Sequence, residues 1–119
     1  MQYLTSPNKP TRPKTFYGDV RTTASTTIYT CPPNCTAELT FIHAVNVLGV
    51  NTVGIKIYIA ATTYTSNFLS AKNINVGDYI TFVPLQIFLV AGDEVRIQTA
   101  NAGHIDIIGS VVETFIPVG

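Results

Sequence analysis

The chain has 119 residues, 46% hydrophobic and 12% charged, and its seven basic and seven acidic residues give a formal net charge of zero. That length is one domain with room for a real core, and the balanced charge leaves no general field to recruit nucleic acid or an anionic membrane surface. No apolar run reaches the roughly 18 residues of a spanning helix, and the opening MQYLTSPNKP lacks the apolar core of a signal peptide, so no export route is expected.

Residues 1–14 read as an extended arm and residues 15–119 as a folded domain. Pro7, Pro10 and Pro13 recur at every third position, which favours a polyproline-like path and forbids a helix. At roughly 3.1 Å per residue such an arm reaches on the order of 40 Å. It carries Lys9, Arg12 and Lys14 with no acid, and Tyr3 and Leu4 near its tip. Two readings stand: a disordered tail, or an arm that orders against a neighbouring subunit. Three spread charges are too few for a nucleic-acid site.

Residues 15–30 are rich in Thr, Tyr, Phe and Ile, which suit strands, and a first strand is expected over 15–22 and a second over 26–31. Cys31-Pro-Pro-Asn-Cys35 follows. A redox CxxC is excluded by the spacing and the lack of a βαβ pattern. With two Cys and two His in the whole chain, and no pair at ligand spacing, no metal is expected. A small-loop disulfide and two free thiols both fit the turn, and free thiols are favoured for a protein made in a cytosol.

Residues 37–48 alternate as a half-buried strand. Leu39, Phe41, His43, Val45 and Val47 share its apolar side, so His43 reads as a neutral core histidine. Residues 53–60 put Val53, Ile55, Ile57 and Ile59 inward, and across the Gly49–Thr52 turn the two runs look like a hairpin. Residues 61–71 lose periodicity and read as a loop with a short strand or a helical turn around 67–71. A turn at Asn75-Val76-Gly77-Asp78 precedes a strand over 79–83, and Pro84 belongs at an edge or strand end.

Residues 85–115 hold three alternating runs, 86–90, 94–100 and 104–114, separated by Ala91-Gly92-Asp93 and Asn101-Ala102-Gly103. They read as an antiparallel meander. Val95 and Ile97 face one side, with Glu94, Arg96 and Gln98 opposite. In the last run Ile105, Ile107 and Val111 oppose His104, Asp106 and Ser110. Asp78, Asp93, Glu94, Asp106 and Glu113 are placed in turns or on the wet face. His104 and Asp106, two residues apart on one face, make a pair that can orient an imidazole.

Seven to nine short strands at turn spacings near ten residues, with no long helix, mean an all-β, antiparallel β-sandwich, jelly-roll-like, with an extended N-terminal arm. No GxSxG, HExxH, P-loop or paired-carboxylate signature appears, so no enzyme and no cofactor is expected. The charged share is about half the usual quarter, which hints at burial in an assembly. Exposed tyrosines leave carbohydrate binding open as an alternative.

The runs Thr27-Ile28-Tyr29-Thr30-Cys31-Pro32, Thr36-Ala37-Glu38-Leu39, Ala44-Val45-Asn46, Leu89-Val90-Ala91-Gly92-Asp93-Glu94-Val95-Arg96-Ile97 and Ile105-Asp106-Ile107-Ile108-Gly109-Ser110-Val111-Val112-Glu113 together resemble small β-sandwich virion structural proteins of tailed bacteriophages. The resemblance covers residues 22–113. The chain departs from it in the Cys-Pro-Pro-Asn-Cys segment, where a glycine-bearing turn is common, and in its longer arm. The resemblance implies a capsid decoration (cement) protein on the outer capsid surface. Its partners would be the major capsid protein or other virion proteins. It would be a homo-oligomer, with a trimer favoured, made in the host cytoplasm and carried on the virion. Tyr3, Leu4, Lys9, Arg12, Lys14, Tyr17 and Tyr64 are the expected contact residues. The alternative is a tail, neck or fibre-associated module that binds a host receptor or glycan.

Overall fold

Alternating strands each have one face to bury, and two sheets can close those faces on each other. The computed structural model describes residues 10–49, 51–82 and 86–116, with backbone alone at 51 and 67–72. Its strands are β1 (Thr11–Val20), β2 (Thr26–Thr30), β3 (Cys35–Leu48), β4 (Asn51–Ile59), β5 (Tyr64–Ile74), β6 (Tyr79–Phe82), β7 (Ile87–Val90), β8 (Glu94–Thr99) and β9 (His104–Phe115). The first sheet runs β1-β9-β3-β6, with β7 also on β3, and the second runs β2-β8-β4-β5. β6 lies against residues 42–45 of β3 and β7 against residues 36–39, so the two are pieces of one broken strand. Except from β4 to β5 and from β6 to β7, each strand hands the chain to the other sheet. This is the jelly roll: an antiparallel sandwich of interleaved Greek keys.

Several local expectations change. β3 and β4 lie in different sheets, so they are not a hairpin, and β7, β8 and β9 alternate between sheets rather than forming a meander. The hairpin partner of β4 is β5, a continuous strand through the region expected to be a loop or helical turn. The register shifts between Val53 and Lys56 and the position of β5 at a sheet edge explain why its period was hidden. β1 begins at Thr11, and Pro13 is tolerated there because β1 is an edge strand. Pro84, Tyr3, Leu4 and Lys9 lie outside the described residues.

The largest correction sits in β3. A bulge between Leu39 and Phe41 gives Thr40 no partner of its own opposite β9 and reverses the strand's phase. Cys35, Ala37 and Leu39 are buried before it, and Ile42, Ala44 and Asn46 after it. Phe41, His43 and Val45 therefore face outward, only part-buried, and His43 is not a core residue.

The core is built from Leu39, Ile42, Ile105, Ile107 and Val111 of the first sheet against Val53, Ile55, Val95 and Ile97 of the second. Each such side chain contributes about 1.5–3 kcal/mol on full burial. Phe16 lies over Gly109, its register partner, and a Cβ there would come within 2.2 Å of the ring. Glu113 belongs to this interior instead of the wet face, while Asp93 keeps its turn and is buried there. Asp93 caps the Gly92 turn (φ 90°) by accepting from the Ala60 N–H at 3.1 Å and the Val90 N–H at 3.0 Å. Glu113 is fully buried, and it accepts from the Tyr29 hydroxyl at 2.6 Å and from Arg12 Nε at 2.8 Å. Burial raises its pKa, but those two bonds and the nearby Lys14 and Arg12 charges more than offset this and hold it below the ordinary value.

Candidate functional site

Because period two turns every second side chain away from the core, the register fixes what each sheet shows to solvent. On the first sheet one outward row reads Tyr17, Ile108, His43 and Thr81, and the next reads Asp19, Asp106, Val45 and Tyr79. Nearer the other end lie Pro13, Val112, Glu38 and Phe88. Tyr17 is 73% exposed, Tyr79 65% and Phe88 73%. An open depression of about 510 Å³ lies between the first two rows, lined by Tyr17, Gly18, Asp19, His43, Val45, Asp106, Ile107 and Ile108. His43 Nδ1 shares a 2.6 Å hydrogen bond with Thr81 Oγ1, and its ring lies 5.2 Å from that of Tyr79.

The second sheet shows a different face. Thr27, Arg96 and Lys56 form one outward row, and Thr30, Glu94 and Tyr58 another. Among the described residues, each of its charged side chains has a polar partner. Arg96 Nε donates to Glu94 at 2.8 Å, the guanidinium stacks 4.2 Å over the Tyr58 ring, the Thr27 hydroxyl donates to Glu94 at 2.7 Å, and Lys56 bonds Gln98. The bonds from Arg96 and Thr27 hold the Glu94 carboxyl below the ordinary range. The first face thus sets exposed aromatic rings beside the carboxylates Asp19, Asp106 and Glu38, and the second is polar, with Arg96 paired to Glu94 and Lys56 bonded to a neutral amide.

At the end of the first sheet three titratable groups converge. Asp19 and Asp106 are direct partners across β1 and β9, and His104 is two residues before Asp106 on the same face. His104 Nε2–H points at Asp106 Oδ1 (2.7 Å) and Asp19 Oδ1 (3.0 Å). Arg21 forks onto both oxygens of Asp19 at 3.1–3.3 Å, and that bond, chiefly, lowers the Asp19 pKa. The pairing of His104 with Asp106 is legible from spacing, but Asp19, 85 residues earlier, enters only through strand register.

Of the other expected contact residues, Tyr17 stands on the outer face of the first sheet and Tyr64 opens β5 in the second sheet, so the two do not form one patch. Arg12 and Lys14 lie on β1. Arg12 is bonded to Glu113 and sits 4.9 Å over the Phe115 ring, although about half of its side chain is exposed. Tyr79 is exposed as expected, while Tyr29, also expected to be exposed, is buried on Glu113. Phe88 and Ile108 lay outside the expected contacts, and the outward parity of each within its strand was the available signal.

No family model and no characterised protein sequence matches the chain. Solved structures do. A chain from the disulfide-linked pili of Bacillus endospore appendages superposes with a TM-score of 0.59 at 13% identity, over 98% of both chains. A chain from the acid-stable capsid of Helicobacter pylori bacteriophage KHP30 gives 0.57 at 12%, over 92% of this chain and 94% of that one. A chain of the T13 infectious bursal disease virus particle gives 0.57 at 12%, covering 89% of this chain. This chain spans about a third of that viral chain's length, 31%. At such identities the likeness establishes a shared fold.

Proposed function

We propose that the chain is a virion structural protein of a tailed bacteriophage that decorates the outer capsid surface, docking through the outward face of its first sheet. The observation that carries this reading is the asymmetry of the two faces. Tyr17, Tyr79 and Phe88 stand exposed on the first sheet, whereas the described outward side chains of the second are mostly polar and bonded to one another, Arg96 and Thr27 to Glu94 and Lys56 to Gln98. A decoration protein needs such a pair of faces, one to lose water against the shell and one to keep it. The sequence resemblance supports the same reading, as does the end-to-end likeness to a chain of the KHP30 capsid. Among the described residues, those lining the depression include no serine, cysteine or lysine nucleophile.

Self-association, with a trimer as the expected form, is part of the proposal and draws on the 12% charged composition. So is the reach of the N-terminal arm over a neighbour. A disulfide-linked polymer like the endospore appendages is disfavoured, because the chain's two cysteines, Cys31 and Cys35, are 1% and 0% exposed.

Imaging gold-tagged copies on intact particles of the encoding phage tests the reading. A shell-wide pattern is expected, lost on Tyr79→Asp or Phe88→Asp and kept on Lys56→Ala. A tail-only pattern, together with a glycan-array signal, would replace it with the receptor-binding alternative.

A further inference from the structure

Beyond that reading, we propose that Asp19, His104 and Asp106 form a binding site for a divalent transition-metal ion of the zinc class. Their ligand atoms all lie within 4.8 Å of one another. Around a zinc ion at about 2.0–2.2 Å from each donor, ligand atoms stand roughly 3.0–3.5 Å apart. The Nε2–oxygen separations of 2.7 and 3.0 Å are already close to that, so small torsional changes at two exposed carboxylates admit the ion.

Three features favour a cation here over a self-sufficient cluster of side chains. Register sets Asp19 directly opposite Asp106, and like charges so placed repel. The formal cation at the cluster, Arg21, forks onto Asp19, and the two side chains are 63% and 54% exposed, a pairing that water weakens. All three donors sit on paired strands, which hold ligands more firmly than loops do. One imidazole with two carboxylates is a donor set for zinc, manganese or iron rather than for calcium. On binding, the Nε2 proton passes to Nδ1 and the freed lone pair takes the metal. The remaining coordination positions open toward the depression that Asp19 and Asp106 line, where water or a neighbour's side chain can occupy them.

The test is calorimetric titration of the full chain with zinc chloride, with melting temperature followed with and without EDTA. One saturable site is expected, with an EDTA-reversible rise in melting temperature. His104→Ala and Asp106→Asn should each weaken binding by roughly tenfold or more. Arg21→Ala, which releases Asp19, should bind at least as tightly as the parent chain, and His43→Ala should bind equally. Absence of saturation up to millimolar zinc overturns the proposal. So does binding that is indifferent to His104→Ala and Asp106→Asn, weakened by Arg21→Ala, or lost with His43→Ala.

Discussion

Replacing Glu113 by Ala tests whether a buried carboxylate holds the first strand to the core. Glu113 is fully buried and accepts from Tyr29 at 2.6 Å and Arg12 at 2.8 Å. Without it, the buried Tyr29 hydroxyl loses its acceptor, which costs about 1–3 kcal/mol. The lost methylene adds roughly 0.8 kcal/mol. The Arg12 pair adds at most about 1 kcal/mol, since half of the arginine is in water. Relief from burying a charge offsets part of this, and the net expected loss is about 2–4 kcal/mol, a large share of a typical 5–15 kcal/mol. Urea denaturation should show the midpoint falling by roughly 1–2 M at unchanged slope. Tyr29→Phe removes the same bond from the other side, so the double variant should lose less than the sum of the two singles. Acid should probe the same group. The folded pKa of Glu113 lies below its ordinary 4.5, so near that value the folded state binds fewer protons than the unfolded chain. Its contribution is complete above the unfolded value and is lost as pH falls through the folded one. Glu113→Gln should flatten this part of the stability profile. A cost for Glu113→Ala below about 0.5 kcal/mol, as for an ordinary surface change, would refute the reasoning.

Other substitutions probe the packing and the phase of β3. Gly109→Ala pushes a methyl into the Phe16 ring and should cost about 1–3 kcal/mol by overpacking; a thermal melt is sufficient to read it. The β3 bulge implies that Ile42→Ala costs about 2–5 kcal/mol while His43→Ala, on the outer face, stays within about 1 kcal/mol, and the reverse order in urea melts would restore the unbulged phase. Burial, chiefly, with the Glu113 and Asp93 charges, pushes the Cys31 thiol up to about 11, and Cys35 is fully buried, so both cysteines should resist a thiol reagent at neutral pH until denaturant is added.

Much of this architecture is legible in the residues themselves. The alternation of Val53, Ile55 and Ile57, and of Val95 and Ile97, correctly marks their buried faces, and Gly92-Asp93 correctly marks a turn. His104 and Asp106 announce their pairing by spacing alone. The misplaced residues fail for identifiable reasons. His43 follows the period of β3, but a single extra residue at the bulge resets that period. Glu113 keeps the parity of Ile105, Ile107 and Val111, and its polarity argued for water until Tyr29 and Arg12 supplied partners.

By itself the sequence determined the all-β class, the turns and which side of most strands is apolar, because those follow from side-chain period and backbone preference within a few residues. Tertiary structure alone decided which strands pair, where Glu113 finds its partners and that Asp19 meets His104. Those contacts join positions 84, 101 and 85 residues apart, and strands of similar pattern are interchangeable until long-range packing selects one pairing.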